Sequence, residues 1–309
     1  MRHSEAATVS QESLRAEIIS FLEGYSIEIT PHDAARLDAT AEVLPAGTEV
    51  FVAHPPGVPL EDIVELARRV RELGFTAIPH IISRKLESRD RLEWALGALS
   101  QFGIDRVLVV GGDSAVPNAA FDSSLEVLQT GLFSEHGFRE VGVAGHPEGS
   151  QVIGNARAEQ ALRDKAAFAS EADFSVRIVT QFGFDPAAVT AWEQATSADG
   201  INLPIRVGMA GPASLRQLVR FAMLCGVEAS ARMLMTRAGA TANLLKTRAP
   251  DDLITHIARH RAGESSSRLC GVHFFAFGGV IKTANWANAV LDGRFDLNNA
   301  GTGFAVARS

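Results

Sequence analysis

Residues 48–80 read TEVFVAHPPGVPLEDIVELARRVRELGFTAIPH and contain one complete strand–helix–strand pattern. The two ends of this stretch, Thr48–Ala53 and Phe75–His80, are short and largely apolar. Between Leu60 and Leu73, apolar residues recur every three or four positions and charged residues fill the opposite face, which predicts an amphipathic helix. Unbroken apolar runs are typical of strands buried on both faces of a parallel sheet. The stretch therefore predicts two parallel strands joined by a helix.

The same alternation continues on both sides of this stretch. Six further runs predict strands: Tyr25–Thr30, Arg106–Gly111, Glu140–Gly145, Phe174–Gln181, Pro204–Met209 and Val272–Phe277. Eight strands alternating with helices are the pattern of an α/β protein with a (β/α)₈ TIM barrel. The connection from Gly211 to Gly271 is long for one crossover, so we expect extra helices between strands 7 and 8, including one near Asp251–Arg261. We expect residues 1–20 to form an N-terminal helix or arm, and residues 21–309 to form one catalytic barrel domain.

The composition argues against several classes of function. The 309 residues carry a formal net charge of −7, and an acidic surface disfavours binding to nucleic acid or to anionic lipid. No apolar run approaches the length of a membrane span, and the N-terminus lacks the apolar segment of a secretory signal. The two cysteines, Cys225 and Cys270, form neither a disulfide framework nor a metal-binding motif. We therefore expect a soluble cytoplasmic enzyme without nucleic-acid or membrane partners.

Polar residues and glycines stand at the carboxyl end of nearly every predicted strand. They are Glu28, His54, His80, Gly111, Gly112, Asp113, His146, Glu148, Gln181, Gly208, Gly211 and His273. In (β/α)₈ enzymes the chemistry takes place at this end of the barrel. The sequence therefore predicts one active site in which these residues meet.

Glu28 is the most informative of these residues because it lies between two isoleucines, Ile27 and Ile29. If its side chain points into the mouth of the barrel, partial desolvation raises the pKa of the carboxyl group and suits it to donate a proton. The alternative is a glutamate that faces solvent at the edge of a strand.

The other strand-end residues leave alternatives open. Two glycines before Asp113 allow close approach of a flat ligand or its phosphates, but an aspartate in a turn also caps helices. The histidines come from separate strands without an H-x-H or H-E-x-x-H pair, so we predict no metal site. No nucleophile elbow, Walker loop or Rossmann glycine pattern is present.

Short motifs stand at these strand ends in a definite order. They are SIEITP at 26–31, PH at 79–80, VVGGD at 109–113, GHPEGS at 145–150, LRDK at 162–165, TQFGFD at 180–185 and HFFA at 273–276. A glycine at position 208 is followed by RQ at 216–217 and RFA at 220–222. Together these segments resemble the methylenetetrahydrofolate reductase family, whose members are (β/α)₈ flavoenzymes, from Tyr25 to Leu291.

The resemblance implies a reaction and a division of labour. The reaction is the FAD-dependent reduction of 5,10-methylenetetrahydrofolate to 5-methyltetrahydrofolate, or its reverse, in one-carbon metabolism and methionine biosynthesis. NADH or NADPH is the implied electron donor, folate is the substrate, and a homo-oligomer is left open. Glu28 would protonate N10 of the folate, and Asp113 would stabilise the positive charge that develops. The implied substrate contacts are Gln181, Gln217, Phe221 and His273, and the implied flavin contacts are His54, His80, Gly111, Gly112, Asp113, His146, Glu148 and Lys165.

The sequence departs from the family pattern mainly at the flavin contacts. Gly111 stands where the family has an arginine that contacts the flavin phosphate, and His146 stands where it has a tyrosine. Ser150 and His54 replace a histidine and a threonine of the family. We therefore expect FAD to bind less tightly than in relatives. The alternatives are a flavin-free pterin- or folate-dependent methyltransferase, a folate- or flavin-binding barrel protein without catalysis, and a metal-dependent barrel hydrolase.

Overall fold

The computed structural model describes residues 10–113, 115–227, 235–236 and 244–307. Eight strands form the centre of the molecule: β1 (Ser26–Ile29), β2 (Glu49–Val52), β3 (Thr76–Ile82), β4 (Arg106–Val110), β5 (Glu140–Gly145), β6 (Ser175–Thr180), β7 (Ile205–Ala210) and β8 (Leu269–Phe275). Each strand pairs in parallel with the next along the chain, and β8 pairs with β1 to close the barrel. This confirms the predicted (β/α)₈ TIM barrel.

Helices surround the barrel. They are α1 (Gln11–Leu22), α2 (Leu37–Ala41), α3 (Leu60–Glu72), α4 (Arg89–Gln101), α5 (Ser124–Leu128), α6 (Leu132–Glu135), α7 (Asn155–Ala169), α8 (Pro186–Ala198), α9 (Leu215–Leu224), α10 (Asp251–Gly263) and α11 (Val280–Leu291). Helix α3 buries Ile63, Val64, Ala67 and Val70 against the sheet, as its amphipathic pattern predicts. Helices α9 and α10 lie between β7 and β8, where extra helices were expected.

Helix α1 packs against the barrel domain. Its buried residues Leu14, Ile18, Phe21 and Leu22 belong to the same apolar core as the barrel strands and their helices. The helix contacts α10 and α11. The part of the predicted arm at residues 1–9 lies outside the described residues.

The interior of the barrel is stratified along its axis. At the amino-terminal end, Glu49 forms ion pairs with three arginines: Arg106 at 2.6 Å, Arg177 at 2.9 Å and Arg206 at 3.3 Å. Burial opposes ionisation of Glu49, but Arg206 and Arg177 hold its pKa below the usual range. Above this charged layer lies an apolar layer with the buried side chain of Phe51 in it. The two layers fill the lower barrel and leave the carboxyl end for the polar strand-end residues.

Within the described part of the chain, no helix has the length and apolarity needed to cross a membrane.

Candidate active site

Glu28 lies inside the barrel near the carboxyl end of β1. Its neighbours Ile27 and Ile29 are buried in the core between sheet and helices, which directs the intervening side chain to the barrel interior. The Glu28 side chain is only 14% exposed, so it is not the solvent-facing glutamate of the alternative interpretation. Its Oε2 atom lies 3.5 Å from Nε2 of His80 and 3.8 Å from Nε2 of His273. Burial raises the pKa of Glu28, while the nearby His80 opposes that shift.

The two histidines beside Glu28 are buried and uncharged at neutral pH. Burial lowers the pKa of His80 to about 4 and, with help from two arginines of the charged layer, the pKa of His273 to about 3. Nδ1 of His273 lies 2.9 Å from Oγ of Ser26, which fixes the orientation of the ring. Nε2 of each histidine is buried without a hydrogen-bond partner among the residues that the structure describes. Both unpaired nitrogens therefore lie near the Glu28 carboxyl group and can serve a bound ligand.

The turn after β4 brings Gly111, Gly112 and Asp113 to the same end. Gly112 has φ of 86°, in the left-handed region that favours glycine. A Cβ atom at this position would overlap Cγ2 of Ile82 on the neighbouring strand. The turn therefore needs glycine at position 112, and it carries Asp113 within electrostatic range of His146.

His146 and Lys165 form the next part of the site, at the end of β5 and on α7. Lys165 is only 6% exposed, and its Nζ atom has no hydrogen-bond partner among the described residues. Burial lowers the pKa of Lys165 to about 8 and that of His146 to about 4, and the lysine charge adds to the shift of His146. A buried cation without an acceptor is the feature that an anionic ligand would satisfy.

Glu148 has partners in the turn after β6. Its Oε1 atom accepts hydrogen bonds from the backbone N–H groups of Phe184 at 2.7 Å and Asp185 at 2.8 Å. A Cβ atom at Gly183 would overlap this carboxylate. Glu148 therefore stabilises the turn that follows β6. Its contact with a flavin stays a prediction.

His54 lies at the end of β2 and is held by the loop that follows. Its Nε2 atom donates to the carbonyl oxygen of Val58 at 2.8 Å, and its Nδ1 atom is buried with no hydrogen-bond partner in the described part of the chain. Burial lowers its pKa. Lys85, which sequence reasoning missed, donates from Nζ to the carbonyl oxygens of His54 at 3.0 Å and Pro55 at 2.7 Å.

The predicted substrate residues Gln181, Gln217 and Phe221 lie on the β6–β8 side. Oε1 of Gln181 accepts from the backbone N–H of Phe182 at 3.0 Å. Gln217 is exposed on α9 and forms a capping box with Ser214, with 2.7 Å between its Oε1 and the serine Oγ. Its Nε2 atom also donates to the carbonyl oxygen of residue 277 at 3.2 Å. The local contacts thus occupy part of the hydrogen-bonding capacity of both glutamines.

An aromatic wall closes this side of the site. Phe221 and Phe277 stack with their ring centroids 4.1 Å apart and their planes 9° from parallel. Phe182 meets Phe277 edge-on at 4.8 Å and Phe275 at 5.2 Å. Sequence reasoning predicted Phe221 but missed Phe182 and Phe277, although the phenylalanines of TQFGFD and HFFAF were a visible signal.

Comparison with known families identifies the fold family to which the sequence is similar. The family model described as methylenetetrahydrofolate reductase matches residues 42–276, about three quarters of the 309-residue chain. The match includes the strand ends from β2 to β8 and leaves Glu28 outside its bounds.

Proposed function

The chain belongs to the methylenetetrahydrofolate reductase family, and we propose that it reduces 5,10-methylenetetrahydrofolate to 5-methyltetrahydrofolate or catalyses the reverse oxidation. Membership in this family supports a role in folate metabolism and an oxidoreductase activity. The observation that carries the proposal is the buried carboxyl group of Glu28, which lies beside the unpaired nitrogens of His80 and His273. One-carbon metabolism in the cytoplasm, with a link to methionine biosynthesis, is part of the same proposal.

Glu28 is the proposed general acid. Its raised pKa lets it hold a proton at a higher pH than an exposed glutamic acid, as proton donation to N10 of the folate requires. Protonation of N10 opens the five-membered ring and leaves a positively charged carbon that can accept hydride. The neutral imidazoles of His80 and His273 avoid a fixed positive charge beside this cation, since their pKa values lie at about 4 and about 3.

Asp113 is the proposed electrostatic partner of that cation. A carboxylate at the end of β4 stabilises positive charge on the pterin, and the effect is strong where water is excluded. Gln181 and Gln217 are proposed to hydrogen-bond the substrate, which requires them to share or exchange their present local contacts. The stacked Phe221 and Phe277 offer a flat surface for the aminobenzoate ring of folate.

FAD is the proposed cofactor, with NADH or NADPH as the electron donor. The chemistry that FAD supplies when bound is hydride transfer, which no amino-acid side chain provides. The residues proposed to hold it are His54, His80, Gly111, Gly112, Asp113, His146, Glu148 and Lys165. Two observations fit an anionic dinucleotide at this place: the largely buried Lys165, whose Nζ has no acceptor among the described residues, and Nε2 of His80, which has no hydrogen-bond partner among them.

The visible spectrum of the purified protein tests this proposal directly. We expect added FAD to give a perturbed flavin spectrum and a higher unfolding temperature, and reduced flavin in the complex to be reoxidised by methylenetetrahydrofolate. A protein that shows neither change at saturating FAD would contradict the flavin part of the proposal. The same result would favour a flavin-free methyltransferase that uses the folate contacts alone.

A further inference from the structure

Arg84 lies next to the predicted cofactor contacts but belongs to none of the sequence motifs. It lies in the helical turn Ser83–Lys85 directly after β3, one strand away from the turn that follows β4. Its Nη1 atom donates to the carbonyl oxygen of Gly112 at 2.7 Å, and its Nε atom donates to that of Asp122 at 3.0 Å. A Cβ atom built on Gly111 would lie 3.9 Å from Nη1 of Arg84. The guanidinium group thus lies beside the place where a side chain at position 111 would begin.

Three basic side chains follow β3 and β5, the strands on either side of β4. Among the described residues, Arg84, Lys85 and Lys165 form no ion pair within 4.0 Å, although the whole chain carries a net charge of −7. Asp113 interacts electrostatically with Lys85 and with His146, and Asp164 interacts with Lys165. Among the described residues the guanidinium group of Arg84 contacts backbone carbonyl oxygens and no carboxylate, so its charge is available to an anion.

The remaining donors of Arg84 suit a phosphate group. A guanidinium group has five N–H donors, of which the two backbone carbonyls use two. The other three have no acceptor among the described residues, and paired N–H groups of arginine match phosphate oxygens in a bidentate geometry. The two carbonyl contacts hold the guanidinium in place before a ligand arrives, which reduces the entropy lost on binding.

We propose that Arg84 binds the diphosphate of the dinucleotide cofactor and so replaces the arginine that position 111 lacks. Lys165 supplies a second charge to the same ligand from the β5 side. The inference rests on the proposed function, since it takes a dinucleotide to bind at these strand ends. The shared chemistry is the diphosphate, which FAD and NADH both carry.

The test compares Arg84→Gln with the wild type in full-length protein. Glutamine retains an N–H donor for the Gly112 carbonyl but removes the charge. We expect the Kd for FAD, measured by flavin fluorescence in 50 mM NaCl, to rise about 10- to 100-fold, as for a lost hydrogen bond between charged groups. In 500 mM NaCl the ratio of the two Kd values is expected to shrink, because salt screens the charge contact. The matched control is Arg89→Gln, since Arg89 is exposed and donates to the carbonyl oxygen of Thr130.

A second variant places the guanidinium where the family has it. Gly111→Arg combined with Arg84→Gln is expected to recover at least half of the lost affinity on a logarithmic scale, because a Cβ atom at position 111 meets only ordinary contacts. Parallel titrations with NADH show which dinucleotide uses the site, and a loss with either supports the inference.

Three results would overturn it. If the wild type binds FAD or NADH and Arg84→Gln binds equally well, Arg84 has no such role and the proposed function stands. If the loss is the same at both salt concentrations and the unliganded variant unfolds at a lower temperature, Arg84 only supports the loop. If the wild type binds neither dinucleotide, this inference and the cofactor part of the proposed function both fail.

Discussion

Oε2 of Glu28 and Nε2 of His80 lie 3.5 Å apart, and both side chains are almost fully buried at the mouth of the barrel. Burial moves their pKa values in opposite directions, upward for the carboxyl group and down to about 4 for the imidazole. Each shift favours the neutral form of its group. Both groups can therefore be neutral in a site without water. Because the two groups interact, the pKa at which the proton is lost belongs to the pair and not to either residue alone.

The buried histidines predict a loss of stability in acid. His80, His146 and His273 have folded-state pKa values of about 4, about 4 and about 3, below the unfolded value of about 6.5. Between these values the unfolded chain binds more protons, so the free energy of unfolding falls as the pH falls from about 6.5 towards 4. Each histidine lowers the free energy of unfolding by up to about 1.4 kcal/mol for each pH unit in this range.

Urea titrations at several pH values measure this slope. The raised pKa values of Glu28, Glu148 and Asp251 work in the opposite direction, so the comparison is made between variants. In His273→Gln, the free energy of unfolding is expected to depend less steeply on pH than in the wild type. The difference corresponds to about one fewer proton taken up on unfolding. An unchanged slope in this variant would show that His273 is not buried as a neutral group.

Glu49 is predicted to stabilise the amino-terminal layer of the barrel. Glu49→Gln leaves the charges of Arg106, Arg177 and Arg206 close together without their shared carboxylate. Removal of one partner from a buried ion pair costs about 3–5 kcal/mol in the free energy of unfolding. The matched control is Glu65→Gln, which breaks a surface pair with Arg68 and is expected to cost less than about 1 kcal/mol. Equal losses in the two variants, measured by urea unfolding, would contradict the role of Glu49.

The same network predicts its own pH dependence. The folded-state pKa of Glu49 is lowered, so its contribution is present above the unfolded value and is lost as the pH falls through the folded value. The Glu49→Gln variant is therefore expected to lose less stability than the wild type between pH 5 and strongly acidic solution.

We expect the two glycines after β4 to differ in how well they tolerate substitution by alanine. Gly112→Ala meets both an unfavourable φ of 86° and the Cγ2 atom of Ile82, and we expect it to cost about 1–3 kcal/mol. Gly111→Ala meets no atom closer than 3.9 Å, and we expect it to remain within about 1 kcal/mol of the wild type. Thermal unfolding of both variants checks the contrast, which would fail if Gly111→Ala were the more damaging of the two.

The fold could be predicted from the sequence because the strands are apolar throughout and the helices are amphipathic. The β5 prediction, Glu140–Gly145, agrees with the structure at both ends. The β8 prediction began and ended too late, at Val272 and Phe277, whereas the strand is Leu269–Phe275. The apolar run continues past the strand because Phe277 packs in the aromatic wall instead of the sheet.

The site could be predicted where a polar residue interrupts or ends an apolar run. Glu28 between two isoleucines is such a residue, and the structure brings it close to His80 and His273. Arg84, the proposed diphosphate contact, was not predicted because β3 was expected to end at His80. The strand continues to Ile82, which moves the basic residues that follow it to the mouth of the barrel. The contacts of Glu148 and Gln217 depend on turns that are distant in sequence or on local capping, so their strand-end pattern alone could not reveal them.

The last prediction isolates the proton that Glu28 is proposed to donate. Glu28→Gln keeps the size and much of the hydrogen bonding of the side chain but removes its acidic proton. Reduction of bound flavin by NADH or NADPH is expected to proceed at a rate close to that of the wild type, because that half-reaction does not involve N10 of the folate. Transfer from the reduced complex to methylenetetrahydrofolate is expected to slow by about 10²- to 10⁴-fold, the usual range for a lost general acid.

Stopped-flow absorbance at the flavin band measures the two half-reactions separately. A purely structural role of Glu28 predicts that both half-reactions slow together with a lower unfolding temperature, whereas a general acid predicts that only the folate step slows. The wild-type folate step should also lose rate as the pH rises through the raised pKa of Glu28, and the variant should lack that dependence. If the folate step in the variant stays within a few-fold of the wild type, another group supplies the proton. The buried carboxyl beside His80 then needs a different explanation.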